Sequence, residues 1–394
     1  MKKALAAFLA VLLLAAWTQA AFAKPPKKPQ KPAAQKERVQ EEPFQAFLVM
    51  EGNSGKILEE QNAHEKRAPA SMVKLMLAYI VMEKVSRGEV RLTDKITVSK
   101  EASKIGGSQV YLKEGEEFTL EELMQATMIH SANDAAYAIA EHVAGNVEDF
   151  VALMNEKAKY LKMADTEYHT VHGLPPAKEQ KEDLTSCYDL AILGRELLQY
   201  PKVLEWTSTK KTEFRGGKFV LSNTNKLLTR MPEVDGLKTG YYRSTGFNIT
   251  ATAKRGELRL IVVVMGSSSG KLRDDFAAGK LKTYIAQFIV TPLAKKGETI
   301  DKEIFLEDGK YKKLKGVSAS DFSYPMFKGK KKEIKRVLNI PDRVKGEVKQ
   351  GQKLGEVVFQ SDNEVIGKVD VISPVYVPMA NLFTRIFRKL GLGI

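Results

Sequence analysis

The stretch "RAPASMVKLMLAY", Arg67–Tyr79, decides how the chain is read. Met72, Val73, Leu75, Met76 and Leu77 give it the character of a buried helix. Yet it starts at Ser71 and carries Lys74 three residues on, and residues three apart are neighbours on a helix surface. A serine hydroxyl is a weak nucleophile unless a base takes its proton. A lysine amine is such a base when burial or a nearby positive charge keeps it neutral. The apolar neighbours of Lys74 supply the burial. Taken alone, the pair also fits a helix cap with a snorkelling lysine, so its meaning rests on the rest of the chain.

The chain has 394 residues, 43% of them hydrophobic, more than one core usually serves. Residues 1–23 read as a cleaved signal peptide. Lys2 and Lys3 form its charged start, Ala4–Trp17 its apolar run, and Ala21-Phe22-Ala23 its small-residue cut site. The run is short for a bilayer span. Residues 24–42, rich in Pro and Lys, read as a disordered spacer. "FQAFLVMEGNSGKILEEQN" alternates as a hairpin turning at Asn53-Ser54-Gly55. Helical periodicity then runs from Ser71 to about Tyr200, with Thr119 and Glu122 as a capping box and Gly145 as a stop. Strand patterns return from Lys218, and "DDFAAGKLKTYIAQFI" reads as a last helix. A sheet closed by the two ends of one domain, 43–292, and covered by a helical lobe is the expected architecture, an α/β (α+β) class. Residues 297–377 alternate as short strands without helix and read as a small all-β sandwich. In 378–394, Leu382, Phe383, Ile386, Phe387 and Leu390 share one helical face. Thr384, Arg385, Arg388 and Lys389 share the other. Too short and too charged to span, this segment suits the surface of an anionic membrane.

The net charge of +14 admits nucleic acid as a partner, but export redirects it to anionic wall polymer or membrane. The single cysteine, Cys187, excludes an intramolecular disulfide and reads as a small buried hydrophobe. His169 and His172 stand three apart in "EYHTVHGLPP" but lack the Cys or carboxylate company of a metal site. No metal and no cofactor are expected.

Two further motifs follow Ser71 and Lys74. "HSANDAA", His130–Ala136, sets Ser131 and Asn133 at S-x-N spacing between helical runs. "VDGLKTGYYRSTGFN", Val234–Asn248, sets Lys238, Thr239 and Gly240 at the start of a strand. S-x-x-K, S-x-N and K-T-G in this order match a set already known from class A β-lactamases and penicillin-binding proteins. With "GSQVYLKEGEEFTLEELMQATMIHSANDAAYAIAEHVAG", "HGL", "LTSCYDLA" and "NTNKLL", residues 40–290 resemble the low-molecular-mass penicillin-binding proteins. These are D-alanyl-D-alanine carboxypeptidases of the serine S11 type. The β module and tail resemble that family's accessory domain and membrane anchor.

The resemblance implies a serine β-lactamase/DD-peptidase-like fold and a carboxypeptidase acting on peptidoglycan stem peptides and acylated by β-lactams. It implies Ser71 as nucleophile, Lys74 as base and Ser131 as proton relay to the leaving D-alanine. Asn133 would bond Lys74 or the substrate amide, and Lys238 with Thr239 would grip the terminal carboxylate. Gly240 would let substrate lie along the strand, the N–H groups of Ser71 and Tyr241 would form the oxyanion hole, and His172 would order a loop lining the site. Tyr241 stands where family members often carry histidine. Ser267, Ser268 and Ser269 precede Arg273 where many carry an arginine, so the arginine facing the carboxylate is left open. The absence of E-x-x-L-N argues against an efficient class A β-lactamase. A sensor with little turnover and a D,D-endopeptidase are the competing readings. Oligomeric state is not legible.

Overall fold

The computed structural model describes residues 42–329, 333–361 and 364–389. The expected signal peptide, nearly all of the spacer and Leu390–Ile394 of the tail lie outside them. In chain order come β1 (Ala46–Glu51), β2 (Ile57–Gln61), helix α1 (Lys74–Ser86) and the hairpin of β3 (Lys95–Thr97) and β4 (Glu117–Thr119). Helices α2 (Leu120–Gln125), α3 (Asn133–Ala144), α4 (Val147–Tyr160), α5 (Cys187–Leu197) and α6 (Pro201–Ser208) follow. A hairpin of β5 (Lys211–Phe214) and β6 (Phe219–Ser222) and a short helix α7 (Leu227–Arg230) lead into β7 (Val234–Tyr242), β8 (Gly246–Arg255), β9 (Leu258–Ser267) and helix α8 (Gly270–Gln287).

The five long strands form one antiparallel sheet in the order β2-β1-β9-β8-β7. The N-terminal hairpin thus pairs with β9, from the far end of the same segment, as the strand–helix–strand order predicts. Strand β9 reads "LRLIVVVMGS" because both of its faces are covered. Ile261, Val263 and Met265 face the helical lobe, while Leu260, Val262 and Val264 face α8. In β1, Ala46, Leu48 and Met50 take the first side and Phe47 and Val49 the second. Helix α1 is buried on every side from Lys74 to Glu83, which makes it the axle of the lobe. Cys187, at the start of α5, is fully buried, and burial pushes its thiol pKa up.

The helical stretch is less continuous than its periodicity suggests. Ser71 lies in a 3₁₀ turn, Ala70–Val73, and the α-helix begins at Lys74. The β3–β4 hairpin interrupts the lobe because only Ile96 and Phe118 point inward. The capping box is formed: Glu122 N–H donates to Thr119 Oγ1 at 3.2 Å and Thr119 N–H to Glu122 Oε2 at 2.8 Å.

The C-terminal region has its own core, built on Ile304, Val357, Phe359 and Val371. Its strands are β10 (Phe288–Ala294), β11 (Thr299–Leu306), β12 (Lys313–Ser318), β13 (Phe322–Phe327), β14 (Ile334–Asn339), β15 (Arg343–Val344), β16 (Lys353–Ser361) and β17 (Glu364–Ile372). Six form a sheet in the order β14-β16-β17-β12-β11-β15, and β10 pairs with β13. Strand β10 straddles the expected boundary: Phe288 packs with α8 while Ala294 packs in the C-terminal core. Lys56 donates to the Tyr324 hydroxyl at 2.6 Å, a further tie between the two regions. A last helix, α9 (Leu382–Lys389), leaves Leu382, Phe383 and Ile386 exposed, whereas Arg385 donates to buried Asp308 at 3.0 Å.

Thr119→Ala removes one side of the capping box. It is expected to lower stability by about 1 kcal/mol in urea unfolding, with Thr119→Ser close to wild type.

Candidate active site

The sheet edge, the start of α1 and the turn before α3 converge on two buried amines. Lys74 is 0% and Lys238 1% exposed. Lys74 Nζ donates to Asn133 Oδ1 at 2.7 Å and to the His172 carbonyl at 2.7 Å, and lies 3.3 Å from Ser71 Oγ. Asn133 cannot turn its amide round, because its Nδ2 donates to the Gly106 carbonyl at 2.8 Å. Of the two roles the sequence left for Asn133, this geometry takes the contact with Lys74. Lys238 Nζ donates to Ser131 Oγ at 2.9 Å and to the Thr239 carbonyl at 3.0 Å. Thr239 Oγ1 donates to Thr224 at 2.6 Å.

The backbone that carries these groups is held in costly shapes. Ala70, just before Ser71, has φ +52°, and Ser131 has φ +68°. Non-glycine residues reach the left-handed region at a price that surrounding structure must over-determine, and such positions concentrate at functional sites. Asp134 supplies part of that support: its carboxylate accepts the N–H groups of Val110 and Leu112 and pins the loop that meets Asn133. Asn248 supplies another, donating to the Ala68 carbonyl at 3.0 Å and accepting from Gly266 N–H at 2.8 Å.

Burial is the main cause that drives the Lys74 pKa well below its ordinary value, and the charge of Lys238 lowers it further; Asp134 and Asp183 pull the other way. Burial also lowers Lys238, to about 7, with the Arg273 guanidinium as the second cause. The His172 ring falls to about 4 through burial and then Lys74. It is therefore a neutral ring at neutral pH, accepting the Leu174 N–H on Nδ1 at 3.2 Å.

The structure brings Ser71, Lys74, Asn133 and His172 into one group, and Ser131, Lys238 and Thr239 into a second. It alters one of the expected details. Lys238, Thr239 and Gly240 lie in the middle of β7, not at its start. The missing side chain of Gly240 faces the nucleophile's turn: a Cβ there would lie 2.3 Å from the Pro69 carbonyl oxygen. Close packing of strand on turn is therefore one demand on that position. His172 meets Lys74 through its backbone carbonyl. Tyr241 is 53% exposed and stacks on Phe247, ring centroids 4.1 Å apart. Sequence reasoning passed over Asp134, Asp183 and Asn248. Only the position of Asp134 beside S-x-N offered a signal. Arg273, from α8, is buried against Asp274 and reaches the Asn248 carbonyl at 3.2 Å.

A hydroxyl beside a buried amine of lowered pKa, with a second buried lysine across a strand, is the arrangement expected of a serine acyl-transfer enzyme. Residues 33–269 match the Peptidase S11 family, D-alanyl-D-alanine carboxypeptidase, and residues 288–378 match the penicillin-binding protein 5 C-terminal domain. The chain is 33% identical to the D-alanyl-D-alanine carboxypeptidase DacF of Bacillus subtilis, over 99% of this chain and 98% of that protein. It superposes on penicillin-binding protein 5 from Haemophilus influenzae with TM-score 0.72 and 29% identity, covering 85% of this chain and 97% of the other. It also resembles penicillin-binding protein D2 of Listeria monocytogenes in its ampicillin-bound form, with TM-score 0.55 and 30% identity over 61% of this chain and 96% of the other. The chain belongs to the S11 family of serine D-Ala-D-Ala carboxypeptidases.

Lys238 makes a stability prediction with a definite sign. Its folded pKa of about 7 lies below the ordinary 10.5, so the unfolded chain binds more protons between these values. Stability contributed through this group therefore rises with pH across that window. Lys238→Met is expected to remove that rise, so the stability of the variant relative to wild type falls from neutral pH toward about 10.5. Denaturant melts across the window check it.

Proposed function

We propose that Ser71 is the nucleophile and Lys74 the base in cleavage of the D-Ala-D-Ala bond of peptidoglycan stem peptides. One observation carries the assignment. Lys74 Nζ has two acceptors that cannot donate, Asn133 Oδ1 and the His172 carbonyl, and one hydroxyl that can. A neutral amine has two N–H bonds and one lone pair. Its hydrogens satisfy the two acceptors, and its lone pair is left for the Ser71 hydroxyl.

The Ser71 proton passes to Lys74 as Oγ attacks the carbonyl carbon between the two D-alanines. Backbone N–H groups of Ser71 and Tyr241 receive the developing oxyanion; such a donor is typically worth about 2.7–4 kcal/mol. The C–N bond breaks, and the proton that Lys74 gained passes through Ser131 to the departing amine, which leaves Lys74 neutral again. Ser131 accepts from Lys238, so its own hydrogen is free to be given. Water then attacks the acyl-enzyme ester: Lys74 takes the water's proton and returns it to Ser71 Oγ as the acyl C–Oγ bond breaks. Lys238 and Thr239 receive the terminal carboxylate. A β-lactam acylates Ser71 by the same attack, its ring C–N bond opening instead.

Residues 1–23 are read as the export signal, placing the enzyme outside the cytoplasmic membrane. Residues 379–394 are read as the anchor to its anionic surface. Among the described residues no helix is long and apolar enough to cross a membrane. The exposed Leu382, Phe383 and Ile386 support a peripheral contact. The domain limits follow the same reading: 43–292 catalytic, 297–377 a stand-off module, with β10 as the shared strand.

Ser71→Ala is expected to abolish both D-alanine release and covalent labelling by fluorescent penicillin. Lys74→Arg keeps the charge but cannot become neutral. It is expected to slow acylation by about 10²–10⁴-fold; near-normal acylation by this variant would remove Lys74 as base. Deleting 379–394 is expected to leave soluble activity intact and end co-sedimentation with anionic vesicles.

A further inference from the structure

The His172 carbonyl that receives Lys74 belongs to a turn with its own internal brace. Asp183, 5% exposed, sits behind that turn. Its Oδ1 accepts the N–H groups of His169 at 2.6 Å and Thr170 at 2.9 Å, and its Oδ2 accepts the Thr170 hydroxyl at 2.6 Å. Thr170 Oγ1 in turn accepts the Gly173 N–H at 2.8 Å. One carboxylate thereby fixes both ends of the turn His169–Gly173, with the His172 carbonyl held between them.

The far side of the turn is equally constrained. Gly173 has φ +73°, and a Cβ there would lie 2.0 Å from the Ala70 carbonyl oxygen and 3.0 Å from Ser71 N. The turn is wedged against the backbone that carries the nucleophile. The segment holding Asp183 is itself tied to the other walls. Glu182 accepts the Tyr242 hydroxyl of β7 at 2.6 Å, and Thr185 exchanges backbone hydrogen bonds with Arg67 at 2.7 and 2.9 Å. As an acceptor-only group, the Asp183 carboxylate meets two backbone N–H groups and a hydroxyl at once. Burial, the largest cause, raises the Asp183 pKa above its ordinary value, and these same hydrogen bonds offset part of that rise.

We infer that Asp183 is a positioning residue for acylation: through Thr170 and Gly173 it fixes the His172 carbonyl, and so the direction in which Lys74 Nζ presents its lone pair to Ser71. This rests on Lys74 being the base. The side chain touches neither substrate nor reacting atoms. Its effect falls on the bond-making step and not on ligand capture, because the carboxylate-binding groups Lys238 and Thr239 stand on β7.

The test uses the mature full-length protein and fluorescent penicillin in stopped flow, which separates the pre-acylation dissociation constant from the acylation rate constant. Active-site titration gives the competent fraction. Asp183→Asn and Thr170→Val are expected to lower the acylation rate constant on the order of 10–100-fold. The dissociation constant is expected to stay within about threefold. Thr170→Ser, which keeps the hydroxyl, is expected to acylate within about threefold of wild type. If Asp183→Asn does not fold, Thr170→Val and Thr170→Ser carry the test. The inference is overturned if the folded variants keep the wild-type rate constant, or if their loss appears only as a smaller titratable fraction. Failure of the wild type to be acylated at Ser71 would instead overturn the Ser71–Lys74 reading, and this inference with it.

Discussion

An amine buried among apolar side chains must find an acceptor for every hydrogen it keeps, and holding a charge there is costly. Lys74 lies under that constraint between Asn133 Oδ1 and the His172 carbonyl. The two acceptors suit a neutral amine and leave its third direction to Ser71. Much of the surrounding structure serves this arrangement. The Gly106 carbonyl orients Asn133, Asp134 pins the loop bearing Gly106, and the glycines at 173 and 240 let two backbone walls close on the nucleophile's turn.

Lys238 lies under the same constraint. Burial and the Arg273 guanidinium lower its pKa to about 7. Its charge is in turn the second cause, after burial, that lowers Lys74. The two amines are thus coupled electrostatically, across a strand and a turn already in contact.

Much of the fold was legible because its signals were strong and local. The two-faced burial of β9 showed as an unbroken apolar run, α8 as a helical period, and the capping box as Thr119 with Glu122. Order along the chain was enough to expect strands from both ends of the domain in one sheet. The core of the site was legible because S-x-x-K, S-x-N and K-T-G are contiguous motifs. What escaped was whatever depends on tertiary contact. Nothing local marks Asp183 as a brace for a turn ten residues earlier, or Asn248 as a tether for Ala68. The contribution of His172 is a carbonyl, which every residue has. The role of Gly240 could be seen only once Pro69 stood against it. Strand β10 escaped too, since a strand shared by two cores has no boundary signature of its own.

The central claim is a protonation state, and it can be read at one atom. In protein labelled with ¹³Cε-lysine, the Lys74 resonance, assigned by its loss in Lys74→Arg, should report a neutral amine at neutral pH and titrate well below 10.5. A Lys74 signal that stays ammonium-like to above about pH 9, in protein that still acylates at full rate, would contradict the account.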